Sequence, residues 1–406
     1  MSETHVIDRL GHLGDGIAPG PVFAPRCLPG EVVTGEIEEG RITAPRIVTP
    51  SADRVKAPCP HYNACGGCAL LHASDPFVAD WKVDVVRTAL AAHGLSPEFR
   101  PIVTSPPRSR RRAVLSARRG KKGAIVGFHG RRSDTITEIS QCHLLHPDIL
   151  AALPNLAALA MLGASRKGEL SINVVHSVAG LDVSVTDGKP LDRELETDLA
   201  LALNKFGFAR LTWNGEIIAT ETPPEQTFGV AAVVPPPGAF LQATREGEAA
   251  LLDAVREIVG KASSVIDLFA GCGTFALPLA QSAEVHAVEG LAAMTDALTL
   301  GWRRTQGLRR VTTETRDLFR NPMMADDLAR FDAAVIDPPR AGAEAQVAAL
   351  AASGIKCIAM VSCNAQTFAR DAKTLVDAGY ELNWVQVVDQ FRWSTHTEQV
   401  ASFSRG

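Results

Sequence analysis

From residue 264 onward the chain repeats one unit: a short apolar run, a turn, then a stretch with helical spacing. The runs are "SVIDLF" (264–269), "EVHAVEG" (284–290), "FDAAVIDPP" (331–339) and "IKCIAMVSC" (355–363). Strands that are apolar throughout and alternate with helices have to be buried on both faces, which is the βαβ pattern of an open parallel sheet. A helix is expected just before the first run, over 242–259. The closing runs "ELNWVQVVDQF" and "TEQVASFS" are expected to pair as an antiparallel hairpin. Sheets of this kind bind ligands beyond the carboxyl ends of their strands. The strand ends are therefore where chemistry is sought.

In "DLFAGCGTFA", Gly271, Gly273 and Ala276 satisfy G-x-G-x-x-A directly after a strand. Nicotinamide and S-adenosylmethionine enzymes both use such a turn, because glycine lets the backbone approach a nucleotide closely. Glu289, ending the next strand, can accept from both ribose hydroxyls in either case. The following strand ends separate the two readings. "VIDPPRAG" sets Asp337 and Arg340 at one, and "VSCN" sets Cys363 at the other. Hydride transfer has no evident use for that pair, whereas methylation of uracil carbon 5 does. A thiolate added to carbon 6 makes carbon 5 nucleophilic enough to attack a sulfonium methyl. A base then removes the carbon-5 proton so that the cysteine leaves. Cys363 is the candidate thiolate and Glu398, in "STHTEQVASF", the candidate base.

A chain of 406 residues predicts two or three domains. Residues 1–55 carry short β-like runs broken by Gly and Pro, as in a small barrel. In "DPFVADWKVDVVRTALAAHGL", Phe77, Trp81, Val85, Thr88 and Ala89 recur at helical spacing and Gly94 supplies a stop. Mixed β sequence fills about 100–235, and "VVPPPGAF" (233–240) reads as a boundary. The acidic start has no apolar core, and no apolar run approaches the ~20 residues of a membrane helix, so a cytoplasmic protein without membrane contact is expected.

The net charge is −4, yet residues 108–132 hold ten Lys or Arg and no Asp or Glu. A basic patch on an acidic protein suits a polyanion, so Arg110, Arg111 and Arg112 are expected on phosphates. Cys59, Cys65 and Cys68 are spaced C-x5-C-x2-C. In a reducing compartment this points to a metal rather than a disulfide. Spacing alone leaves zinc and iron–sulfur equally open, with His61 or His72 able to complete a zinc site.

Taken together, these motifs resemble the RNA 5-methyluridine methyltransferase family, over essentially the whole chain. The resemblance implies a Rossmann-like class I α/β methyltransferase domain at 241–406. It further implies a shortened TRAM-like (OB-like) RNA-binding β-barrel at 1–55 and a β-rich α+β central domain at 56–240. It implies S-adenosylmethionine contacts from Gln242 in "FLQATREG", from Phe269 and Thr274, and from Glu289, Asp317 and Asp337, with Cys363 as nucleophile and Glu398 as base. Members acting on large-subunit ribosomal RNA carry a similar cysteine set. This implies Cys142, in "EISQCHLLHP", as fourth ligand of a [4Fe–4S] cluster, and 23S rRNA as the partner of a monomer. A transfer-RNA substrate and an idle RNA-binding module of the same fold are the alternatives. Two departures stand out: Ala365 where the family has proline after S-C-N, and "FRWSTH" (391–396) in place of F-P-H-T. Cys27, Cys272 and Cys357 match nothing and are expected to pack.

Overall fold

Eight strands form one sheet in the C-terminal half. In chain order they are β1 (Glu98–Thr104), β2 (Ser264–Leu268), β3 (Glu284–Glu289), β4 (Val311–Thr315), β5 (Ala333–Ile336), β6 (Cys357–Ser362), β7 (Glu381–Asp389) and β8 (Gln399–Ser404). Their spatial order is β4-β3-β2-β5-β6-β8-β7-β1. β2 to β6 run parallel, while β8 inserts antiparallel between β6 and β7. The computed structural model describes residues 4–406.

Helices cover both faces: α1 (Asp75–Ala92), α2 (Arg245–Val259), α3 (Ala292–Arg304), α4 (Glu344–Ser353) and α5 (Ala365–Asp377). On β2, Val265 joins the core beneath α2 and α3, with Leu251, Val255 and Leu298. Its neighbour Ile266 joins the opposite core beneath α1, α4 and α5, with Val86, Val347 and Phe368. Two-sided burial is why these strands read as unbroken apolar runs rather than as alternation.

The helix expected over 242–259 begins at Arg245. Thr244 caps it, its hydroxyl accepting the Gly247 N–H at 3.0 Å, with Glu246 and Glu248 in the first turn. Residues 241–244 are instead buried, non-helical chain, which leaves Gln242 free to enter the site. α1 spans the expected residues, but its buried face is one position on: Val78, Lys82, Val86, Ala89 and Leu90, while Thr88 is exposed. The reason is Lys82. Its Nζ donates to Asp389 Oδ1 at 2.5 Å and to the Phe391 carbonyl at 3.0 Å, both charges fully buried. A buried lysine is not a residue that hydrophobic periodicity selects.

Residues 56–240 do not stand apart from the sheet. α1 packs on α5, and β1 extends the C-terminal sheet as a parallel neighbour of β7. The rest of that span forms a seven-stranded sheet with residues 112–119 and 169–177 at its centre, backed by helices at 153–163 and 193–206. Residues 4–49 make a three-stranded and a five-stranded sheet around Ile7, Ala24, Cys27, Val33 and Ile42. Cys27 and Cys272 are core residues, and Cys357 packs partly buried beside the core under α2.

Lys82→Ala leaves Asp389 charged and buried without its partner, which costs about 3–5 kcal/mol. Urea unfolding measures this loss. Replacing both residues together, Lys82→Met with Asp389→Leu, is expected to recover most of it.

Candidate active site

The loop leaving β2 carries the first group of predicted residues. Phe269 sits at φ +64°, a backbone region that a bulky residue rarely adopts and that marks functional turns. Gly273 follows at φ +95°, and a Cβ there would lie 2.9 Å from Leu277 and Leu298. Only glycine fits. Glu289, at the end of β3, accepts the Gly271 and Leu291 N–H groups, each at 3.0 Å, so its carboxylate ties this turn to the next. Thr274 lies half-buried in the same turn. Asp317 is exposed in the loop after β4, accepting the Phe319 N–H at 3.0 Å, and the Phe319 ring stands 5.5 Å from that of Phe269. Phe269, Glu289 and the Phe319 segment thus border one mouth at the carboxyl ends of β2 to β4.

The second group meets where β8 enters the sheet. The antiparallel register pairs Ser362 with Gln399. One step beyond that pair, Cys363 follows β6 and Glu398 precedes β8, so the register brings the thiol and the carboxylate to the same end. Cys363 is pushed up to about 11 by burial and by the nearby Glu398 and Asp337 carboxyls, against the pull of the Arg340 guanidinium. Glu398 is fully buried and held well above the ordinary carboxylate range, first by burial and then by Asp337. Asp337, just past β5, is raised by loss of solvent. Its Oδ2 accepts from Gln242 Nε2 at 3.3 Å.

Asn364 joins two of the motifs. Its Oδ1 caps α5 by accepting the Gln366 N–H at 3.0 Å, and its Nδ2 donates to the Arg340 carbonyl at 3.0 Å. Ala365 is the first residue of α5 and buried, a position where proline would also fit. In the "FRWSTH" segment, His396 lies 3.1 Å from Arg340 Nη2, and burial and Arg340 push it down to about 4. Three polar side chains of this region escape periodicity arguments: Asp267, Gln390 and Lys82. Asp267 lies in β2, fully buried, with no hydrogen-bond partner for either oxygen, and is raised by burial and by Asp337. An aspartate interrupting "VIDLF" is a legible signal. Gln390 has none.

Cys59, Cys65, Cys68 and Cys142 line one pocket with Leu71, Phe128, Ile139 and Leu144, and all four are free thiols. The Gly67 N–H points at Cys65 Sγ and the Leu144 N–H at Cys142 Sγ, both at 3.4 Å. A Cβ on Gly66 would meet the His129 carbonyl at 2.8 Å, so this glycine lets the cysteine loop close on the basic hairpin. His72 is not a ligand candidate: it bonds Tyr62 Oη at 2.5 Å, and burial lowers it to about 4. His61 lines the pocket, but its Nε2 accepts the Gln141 N–H at 3.3 Å. Among the described residues, the one group of three or more ligand atoms within 4.8 Å of one another is His146, Asp148 and His176. In the His group, His146 Nδ1 accepts the Asp148 N–H, and His176 Nε2 donates to Asp148 Oδ2 at 2.9 Å.

The basic segment divides in two. Arg111 is buried, donating to Glu248 at 2.5 Å and to the Gln242 carbonyl at 3.1 Å, and Arg110 and Arg112 are only partly exposed. The expectation that Arg110, Arg111 and Arg112 lie on phosphates fails for Arg111, which fastens the central sheet to α2. Arg108, Arg118, Lys121, Lys122 and Arg132 are the exposed charges.

A two-face-covered parallel sheet with a glycine turn after β2 and an antiparallel strand inserted beside β6 defines an α/β methyltransferase. The solved tRNA (uracil-54, C5)-methyltransferase of Pyrococcus abyssi, in complex with S-adenosyl-L-homocysteine, superposes with a TM-score of 0.77 over 98% of this chain and 99% of that one, at 22% identity. Residues 236–405 match the tRNA (Uracil-5-)-methyltransferase family. A Rhizobium meliloti uncharacterised RNA methyltransferase is 44% identical over 99% of both chains. The 23S rRNA (uracil(1939)-C(5))-methyltransferase of Halomonas elongata is 33% identical over 97% of this chain and 88% of its own. The chain belongs to the RNA uracil-5-methyltransferase family, and RNA is its substrate.

Lys121→Ala with Lys122→Ala is expected to flatten the dependence of RNA affinity on salt, each lost phosphate contact lowering the log–log slope by about 0.7–0.9. Arg111→Ala should instead lower the melting temperature, strand Glu248 and leave that slope unchanged. Filter binding across a salt series, with a thermal melt, separates the two.

Proposed function

We propose that the protein transfers a methyl group from S-adenosylmethionine to carbon 5 of one uridine in 23S rRNA, through a covalent adduct at carbon 6. The observation carrying this reading is the β6–β8 register, which sets Cys363 and Glu398 at one strand end beside Asp337 and Arg340. S-adenosylmethionine supplies the electrophilic methyl group and a positive sulfonium. Gln242, Phe269, Thr274, Glu289, Asp317 and Asp337 are its proposed contacts, with Glu289 on the ribose. The Cys363 thiolate bonds to carbon 6 as the 5,6 π electrons move into an enolate, carbon 5 takes the methyl group as the S–CH3 bond breaks to leave S-adenosylhomocysteine, and Glu398 removes the carbon-5 proton. The C–H electrons restore the 5,6 double bond and Cys363 leaves as thiolate. The Halomonas relative supports the ribosomal substrate over transfer RNA.

Cys59, Cys65, Cys68 and Cys142 would hold a [4Fe–4S] cluster. Four thiols with N–H donors aimed at two of them, in an apolar pocket, suit such a group. Its role here is structural.

RNA containing 5-fluorouridine tests the chemistry, because fluorine cannot leave as a proton. The wild-type protein should form a denaturation-resistant adduct that Cys363→Ala abolishes, while Glu398→Gln should accumulate an adduct on ordinary RNA. Absence of any adduct with cofactor bound would return the idle-module reading. Sequencing the trapped RNA identifies the substrate. Because Cys363 lies above its ordinary value and reacts only when deprotonated, adduct formation should rise with pH throughout about pH 6–9. Anaerobic protein should be brown and contain iron and sulfide, lost in Cys142→Ser. Stoichiometric zinc instead would overturn the cluster.

A further inference from the structure

Gln390 has no role in the reaction written above, yet it joins the two halves of the site. It follows β7 and is fully buried. Its Oε1 accepts the Ala243 N–H at 2.8 Å. A backbone N–H can only donate, so this one contact fixes which end of the amide is oxygen. The two hydrogens on Nε2 then go to Gln242 Oε1 at 2.6 Å and Glu398 Oε2 at 3.0 Å. Gln242 Oε1 being an acceptor, its Nε2 is the end that donates to Asp337 Oδ2. A single peptide N–H thereby sets a one-way chain of donors that ends on both carboxylates.

The charged groups facing Glu398 are Asp337 and Arg340 beyond β5 and Cys363 beyond β6, with Asp267 of β2 behind Asp337. Burial and Asp337 favour a proton on Glu398, whereas Gln390 and Arg340 favour the carboxylate. A base has to be ionised when it acts, and it has to present a free oxygen to the proton it removes. Gln390 engages Oε2 alone.

We propose that Gln390 is the positioning residue for proton abstraction: it holds Oε2 of Glu398 so that Oε1 is left to take the carbon-5 proton. The proposal rests on the reaction assigned above. It confines Gln390 to the elimination step, since thiolate addition and methyl transfer need no base at carbon 5.

The test compares wild type with Gln390→Met, which keeps the volume and loses the donor, and Gln390→His, which keeps an N–H donor. On 5-fluorouridine RNA, Q390M should form its adduct at the wild-type rate. On ordinary RNA its turnover should fall about tenfold or more, with covalent intermediate accumulating. The acid limb of its kcat profile should move up by about one pH unit, because a hydrogen bond to a charged group shifts a protonation equilibrium by at least that much. Gln390→His should restore most of the turnover above the imidazole titration. Unchanged turnover and pH profile in Q390M overturn the proposal, and so does loss of the fluorouridine adduct in Q390M or a Q390H protein as slow as Q390M at every pH. A wild-type protein that forms no adduct at all defeats the underlying reaction instead, so the two failures are distinct.

Discussion

The site depends on one strand running the wrong way. β8 enters between β6 and β7 against the direction of β2 to β6, so its first residues meet the last residues of β6. In a sheet with parallel neighbours throughout, the carboxyl end of β6 would face only other carboxyl ends and the loops beyond them. The reversal brings the start of a strand to that edge, and Glu398 with it. A slip of one residue in this register would send Glu398 to the opposite face of the sheet and leave Cys363 alone. Lys82 guards against such a slip. By binding Asp389 and the Phe391 carbonyl from α1, it fixes the turn that joins β7 to β8.

The electrostatics of this edge oppose ionisation. Cys363, Glu398, Asp337 and Asp267 are all raised above their ordinary values, in part by one another. Without a bound cation the arrangement favours a protonated thiol. Arg340 is the nearby positive side chain, and it lowers both Cys363 and Glu398. A sulfonium bound at this edge would add a second positive charge and favour the ionised forms of the thiol and the carboxyls.

The cysteine site and the basic segment form one construction. Cys142 lies beyond the hairpin in sequence, and Gly66 allows the loop of Cys59 to Cys68 to pack on that hairpin at His129. The proposed group bonding all four sulfurs would close a loop of more than 70 residues around the charges at 118–122. The hairpin then keeps its angle to the methyltransferase sheet, to which Arg111 also ties it through Glu248.

The α/β class, the glycine turn, Glu289, Asp337, Cys363 and Glu398 are written in the sequence, because parallel strands have to be apolar throughout and reactive groups have to follow their ends. The spacing of Cys59, Cys65 and Cys68 is written there too, while Cys142 came only from the family resemblance. Lys82, Arg111 and Gln390 are not, since each is a polar residue whose burial is tolerable only with partners from distant segments. Lys82 and Asp389 are more than 300 residues apart, and Ala243 meets Gln390 across almost 150. Local pattern reports which faces are apolar. It carries no information on which buried hydrogen bonds will be completed across the fold. The sequence by itself therefore determined what chemistry the strand ends could hold. Only the tertiary structure decided how the Glu398 carboxyl is oriented, because that orientation comes from one peptide N–H in a segment whose sequence predicts a helix.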